Sequence, residues 1–345
     1  MRAPLWTDAR GGGGARVPAV ARFGSLASCW KSRRRRSKEV RIALIGQAAF
    51  AERALEVLHA RGEEIVHVFA PPDVAGGRPD PLKTKALALG LPLSQPASFK
   101  TDEVYEQFRT LDVDLTVMAF VTLIVPERVL YAPRHKTICF HPSLLPRHRG
   151  ASAINWAIIQ GDPVTGVTWF WPDKGIDTGP ILIQRSEPIR DDDTVGSLYF
   201  NRLFPLGIET LVDAVEMIKG GHAPATPQDE ARATYEPPCR DEHARVDFSR
   251  TAREVHNLIR GCDPQPGAYA SLGGERLRLY EPLLDAEHTR CAPGTILSID
   301  AAGMRVAARG GTITIRRARF DSSPKKVAPL ELAGSGRIAR AMRLE

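Results

Sequence analysis

The first sustained apolar run of the chain is VRIALIG, Val40 to Gly46. A short apolar run closed by glycine has the pattern of a strand buried on both faces. In the following AFAERALEVLHARG, Phe50, Ala54, Leu55 and Leu58 recur at helical spacing and Gly62 supplies a stop signal. IVHVFA then reads as a second strand. Strand, helix, strand implies a parallel βαβ unit, and PLKTKALALG, DEVYEQFRTL, DLTVMAF and TICF continue the alternation. Residues 39–220 are therefore expected to form an α/β domain. GVTWFW and GPILIQRS add two strands, and Asp193 or Thr194 can cap a long helix from about 195 to 219 that Gly220 and Gly221 end.

Past that helix the periodicity lapses. Residues 221–244 are rich in Pro, Ala and charge, as expected of a linker on the surface. TAREVHNLIRG then reads as a helix, and LRLYEP, GTILSID, GMRVAAR and TITIRRARF as short strands separated by turns. Residues 245–320 are expected to form a small β-barrel domain, and residues 321–345 a tail that frays.

Charge divides sharply by position. Residues 1–38 hold ten Lys or Arg against the single acid Asp8, leaving 37 basic and 39 acidic residues in the body. The leader, with GGGG and RRRR runs, reads as an unstructured basic extension, a transit segment being the minority reading. No apolar run is long enough to span a membrane as a helix. Five cysteines, widely spaced and without a CxxC pair, point to neither a disulfide framework nor a zinc ribbon and fit a reducing, cytoplasm-like compartment. His135, His141 and His148 lack metal-ligand spacing, so no metal is expected. Gly46 stands alone before Gln47 and Ala48, without the G-x-G-x-x-G turn that approaches a dinucleotide, so NAD is not expected either.

Two loops carry candidate chemistry. TICFHPSLLPRHRG runs from a buried-looking strand straight into His141, and WFWPDKGIDTG places Asp177 after another strand. An imidazole beside a carboxylate can donate to, or take a proton from, a reacting group. Taken singly, a turn histidine and a loop-capping aspartate explain the two residues equally well. Trp156, Trp169 and Trp171 are expected in the core.

The run HPSLLPRHRG followed by GIDTG, with VRIALIGQAAF before it and DDTVGSLYFNRLFPLGIE and VHNLIRGCDPQPGAYA after it, resembles the formyltetrahydrofolate-dependent formyltransferases over residues 40 to 320. The likeness is greater to the N-terminal hydrolase domain of 10-formyltetrahydrofolate dehydrogenase than to methionyl-tRNA formyltransferase. It implies a Rossmann-like formyltransferase domain followed by a small OB-like β-barrel, with 10-formyltetrahydrofolate as formyl donor in a cleft beside the two loops. By motif, His141 would polarise the formyl oxygen, Asp177 would hold His141 and relay protons, and Ser143 would bond that oxygen or a water, or merely close the turn. Met118, Ala119, Phe120 and Val121 resemble the wall against the pterin ring, or serve apolar packing alone, and Asp173 and Gly175 join them as cofactor-side candidates. Arg147 and Arg149 could meet folate carboxylates or simply lie on a solvated loop. Cys139 stands where many members carry Asn, which replaces a carboxamide donor by a weak thiol or simply fills the core.

Transfer to an amine, either methionyl-tRNA or a small amine, is the leading expectation. Hydrolysis to formate is the second, since the sequence ends before any carrier or aldehyde dehydrogenase module. A non-catalytic nucleic-acid-binding module is the third. The slightly acidic body gives tRNA no support, and Arg316, Arg317 and Arg319 form its one dense basic patch.

Overall fold

The computed structural model describes residues 40–285 and 287–345, so the expectation for the basic leader lies outside the described residues. Strands β1 (Arg41–Gly46), β2 (Glu64–Phe69), β3 (Leu93–Ser94), β4 (Leu115–Ala119), β5 (Thr137–His141), β6 (Val164–Phe170) and β7 (Ile181–Pro188) form one sheet. Their order is β3-β2-β1-β4-β5-β6-β7. The first five run parallel. β6 and β7 extend the sheet as an antiparallel pair. Helices α1 (Ala48–Ala60), α2 (Pro81–Ala88), α3 (Asp102–Thr110), α4 (Glu127–Leu130) and α5 (Ala153–Gln160) alternate with the strands.

Side chains alternate across a strand, and β1 shows why its run is uninterrupted. Ile42 and Leu44 join a core with Phe50, Leu55 and Leu58 of α1, while Ala43 and Ile45 enter the opposite core with Val104 and Phe108 of α3. Both faces are covered, so no polar position is needed.

The long helix expected from 195 to 219 is α6 (Val195–Leu198), a π-helical turn over Tyr199–Leu203, and α7 (Phe204–Lys219). Thr194 is its cap, accepting from the Ser197 N–H, whereas the Asp193 carboxylate accepts from the Arg190 N–H and pairs with Arg202. Gly207 lets α7 press on the sheet beside the site. A Cβ there would lie 2.6 Å from the Phe140 ring, which stacks on Phe50, and the Gly207 carbonyl accepts from the Trp169 indole at 3.0 Å.

The C-terminal unit has helix α8 (Ala252–Gly261), strands β8 (Tyr269–Leu272), β9 (Glu275–Asp285), β10 (Ile296–Asp300), β11 (Gly303–Ala308) and β12 (Gly311–Phe320), and helix α9 (Pro329–Gly334). The strands form an antiparallel sheet in the order β10-β11-β12-β9-β8. It is an open sheet, not the closed barrel expected, because among the described residues no ladder joins β10 to β8. The end of the chain occupies that gap. Ser271 and Glu345 exchange both backbone hydrogen bonds, at 2.6 and 2.9 Å, and the Ile296 N–H donates to Met342. The tail expected to fray is therefore pinned, with Ile338 and Leu344 buried.

Candidate active site

The chain leaves β1 toward β2 and β3 on one side and returns to β4 and β5 on the other. The crevice at such a reversal lies at the carboxyl ends of the strands, where open α/β sheets bind ligands. Gly46, Ala119 and His141 end the three strands there, with Gly46 beside Ala119 and Met118 beside Cys139. A Cβ at Gly46 would fall 2.3 Å from the Ala119 carbonyl oxygen, so only glycine fits the end of β1.

His141 is buried, and its Nε2 lies 2.8 Å from the main-chain oxygen of His148. A carbonyl only accepts, so the ring proton sits on Nε2. Nδ1 then faces Asp177 Oδ2 at 3.5 Å. A neutral ring would turn a lone pair toward a carboxylate, so this pair attracts only when it holds one more proton. The geometry suits a proton that moves between Nδ1, Oδ2 and a reacting group.

Asp177 is held rigidly. Its Oδ2 accepts from the Gly150 N–H at 2.8 Å, and its carbonyl accepts from Gln228 Nε2 at 2.8 Å. Its φ of 56° is left-handed, a conformation costing an ordinary residue roughly 1 kcal/mol and tolerated best by Asp and Asn. Asp173 and Gly175, expected on the cofactor side, build this turn. Asp173 Oδ1 accepts from the Gly175 N–H at 2.9 Å and from Thr178 Oγ1 at 2.6 Å. A Cβ at Gly175 would strike Thr178 Oγ1, and one at Gly179 would lie 1.8 Å from the Trp171 oxygen.

Ser143 is fully buried and donates to the Arg147 carbonyl at 2.7 Å, so its hydroxyl closes the turn after His141. Cys139 is half-buried, and burial, reinforced by the Asp177 carboxylate, holds its thiol protonated. Met118 and Ala119 are buried and Val121 is half-buried, leaving Phe120, with Leu123 and Ile124 beyond it, as the exposed apolar surface of this segment.

The arginines are committed elsewhere. Arg147 pairs with Asp162 at 2.9 Å. Arg149 is buried against Glu230, 2.6 Å away, and Gln228, and the Glu230 hydrogen bond raises its pKa further. Arg149 thus lies on no solvated loop, and its guanidinium is already paired. Of Trp156, Trp169 and Trp171, Trp169 is fully buried, while Trp156 and Trp171 donate to the carbonyls of Pro237 and Pro224.

Those carbonyls belong to residues 221–244, which form a strap over the site loops. The Thr234 hydroxyl accepts from the His148 N–H at 2.8 Å, and Arg149 and Thr234 are joined through their backbones. The His148 ring is buried between Asp162, 2.9 Å from Nε2, and Glu236, 3.3 Å from Nδ1. Sequence reading missed Gln228, Thr234 and His148. The second histidine of HPSLLPRHRG was the available signal for His148, whereas nothing periodic marks the strap. Among the described residues no group of three or more His, Cys, Asp or Glu side chains could hold a metal ion.

The formyl transferase family model matches residues 40–215, and the model of its C-terminal domain matches residues 239–332. The chain belongs to the formyl transferase family. It is 43% identical over 247 residues to the mitochondrial 10-formyltetrahydrofolate dehydrogenase of Mus musculus, covering 70% of this chain and 27% of that protein. It thus spans less than a third of the length of the dehydrogenases it matches. It is 38% identical over 299 residues to the methionyl-tRNA formyltransferase of Trichlorobacter lovleyi, covering 85% of this chain and 94% of that one. In fold it is similar to HypX from Aquifex aeolicus in complex with tetrahydrofolic acid, with a TM-score of 0.63 at 22% identity over 86% of this chain and 47% of the other.

Proposed function

We propose that the chain takes the formyl group of 10-formyltetrahydrofolate at His141 and Asp177 and passes it to an amine. The observation that carries this reading is the Nε2-protonated imidazole facing a carboxylate across 3.5 Å at the mouth of the β1–β4–β5 crevice. The acceptor nitrogen attacks the formyl carbon, and the carbonyl oxygen gains charge as the tetrahedral intermediate forms. The pair takes the proton that the nitrogen loses and delivers it to N10 of the leaving tetrahydrofolate. With Cys139 a weak donor, stabilisation of the oxyanion falls to protonated His141 and main-chain N–H groups. The exposed side chains of Phe120, Leu123 and Ile124 offer an apolar surface to the pterin.

The near-neutral body conceals a split that bears on the acceptor. Residues 239–345 carry 18 Lys or Arg and 13 Asp or Glu. Arg316 and Arg317 on β12 are exposed and have no carboxylate partner among the described residues. A basic C-terminal unit favours an amine on a polyanionic carrier such as methionyl-tRNA, and the near full-length likeness to a methionyl-tRNA formyltransferase agrees. Hydrolysis is the second reading, favoured by Cys139 at the Asn position and by the likeness to part of the dehydrogenases.

The deciding experiment mixes the purified chain with 10-formyltetrahydrofolate and either methionyl-tRNA or an amino sugar, following tetrahydrofolate release and the formylated product. Formate without formylated amine overturns transfer in favour of hydrolysis. No tetrahydrofolate release under any condition overturns both.

A further inference from the structure

His148 meets a different partner at each of its polar atoms. Its carbonyl accepts from His141 Nε2 at 2.8 Å, and its N–H donates to the Thr234 hydroxyl of the strap at 2.8 Å. Its ring is buried, with Nε2 2.9 Å from Asp162 Oδ2 in the turn between α5 and β6. Nδ1 lies 3.3 Å from Glu236 Oε2 of the strap, a charge pair rather than an aligned hydrogen bond, and neither of those two atoms has a hydrogen-bonding partner. Both carboxylates are anchored in turn. Asp162 pairs with Arg147 at 2.9 Å, and the other oxygen of Glu236 accepts from Gln160 Nε2 at 3.1 Å. The φ of His148 is 55°, a left-handed conformation that is uncommon for a residue with a Cβ and persists where the surroundings fix it. With both ring nitrogens turned to carboxylates, the ring has no nitrogen to offer the reaction.

We propose that His148 is a positioning residue. The Asp162–His148–Glu236 clamp fixes the carbonyl that keeps the ring proton of His141 on Nε2, and so leaves Nδ1 open toward Asp177. The inference rests on the reading of His141 and Asp177 as the proton relay. Which nitrogen of an imidazole carries the proton is set by the bond the other nitrogen makes or lacks. For His141 that bond goes to a main-chain oxygen, whose direction follows from the backbone angles of His148. A turn of that peptide frees the proton for either nitrogen, and a proton resting on Nδ1 blocks proton uptake there. Asp162 belongs to the α/β domain, whereas Glu236 and Thr234 belong to the strap. The clamp therefore makes the aim of His141 depend on the segment that leads to the C-terminal unit.

The test uses the full chain with 15N in its histidine side chains, a readout that needs no turnover. In the parent, the His141 Nε2–H proton should be observed and should exchange slowly with solvent. Two variants probe the clamp from its two sides. His148→Asn keeps a residue tolerant of the left-handed backbone while removing the ring, and Glu236→Ala removes the carboxylate of the strap and leaves the loop of His141 unsubstituted. In both, that exchange should quicken about 10-fold or more, and kcat for tetrahydrofolate release should fall about 10- to 100-fold with donor KM within about twofold of the parent, as for a misaimed group rather than a lost binding contact. Glu236→Gln, which keeps an oxygen able to face Nδ1, should recover most of both. An Nε2–H signal unchanged in both variants overturns the proposal, as does a Glu236→Gln chain no better than Glu236→Ala. If the parent releases no tetrahydrofolate, the proton-relay reading fails, while the spectrum still decides whether the clamp aims His141.

Discussion

At the residue scale, Asp177 makes two separable contributions. Its Oδ2 accepts from the Gly150 N–H, a bond an asparagine oxygen can also accept, but its negative charge toward His141 Nδ1 is irreplaceable. Asp177→Asn should therefore keep the loop, since Asn tolerates the left-handed backbone, and lose about 100-fold or more in turnover, the scale of a lost general acid-base group. Tetrahydrofolate release at saturating donor, with circular dichroism as the control for folding, checks this. Unchanged turnover would remove the proton relay from the mechanism. His141, Asp177 and Cys139 were legible as residues of interest, but their roles were not. The turn-building role of Asp173 and the Arg149–Glu230 pair depend on partners that sequence reading cannot assign.

At the element scale, the strap is the feature that pattern reading undervalued. It carries no apolar periodicity because it contributes hydrogen bonds rather than a buried face. Gln228 donates to the carbonyls of both Asp177 and Gly179, at 2.8 and 2.7 Å. Gln228→Ala leaves both acceptors unpaired and should cost about 1–3 kcal/mol, with turnover falling roughly 10-fold as Asp177 loosens. Urea unfolding and steady-state kinetics on the same preparation measure the two effects; stability and turnover both within error of the parent would show that the strap does not hold the loop.

Helix α8 carries a second prediction at this scale. His256 is buried, and burial, helped by Arg260 and Arg253, lowers its pKa from 6.5 to about 4. The unfolded chain protonates this group first, so its contribution to stability is complete above about pH 6.5 and is lost as pH falls toward 4. The loss should reach about 2–3 kcal/mol. Denaturant midpoints from pH 7 to 4.5 should fall in the parent chain and fall less in His256→Asn. Equal slopes in both would rule out His256 as the group responsible.

At the scale of the whole molecule, net charge misleads in the same way twice. The basic balance of the chain belongs largely to residues 1–38, and the near-neutral body divides into an acidic N-terminal part and a basic C-terminal unit. If the acceptor is a tRNA, its KM should rise steeply between low and physiological salt, about 10-fold or more, while donor-only turnover barely moves. Removing residues 1–38 should leave formyl transfer in place; loss of transfer on that truncation would move acceptor binding to the leader. Arg316→Glu with Arg317→Glu should flatten the salt dependence if β12 meets the phosphates.

The sequence by itself determined most of the strands and longer helices, the α/β alternation from residue 40, and the two loops that carry His141 and Asp177. Those follow from periodicity, glycine placement and local chemistry, all properties of neighbours along the chain. Only the tertiary structure decided that β6 and β7 run antiparallel, that the C-terminal sheet is open and seamed by residues 341–345, and that the linker is a strap on the site. Strand direction, sheet closure and the pairing of Arg149 with Glu230 are set by which distant groups satisfy each other once buried. That choice depends on three-dimensional proximity, which hydrophobic pattern does not encode.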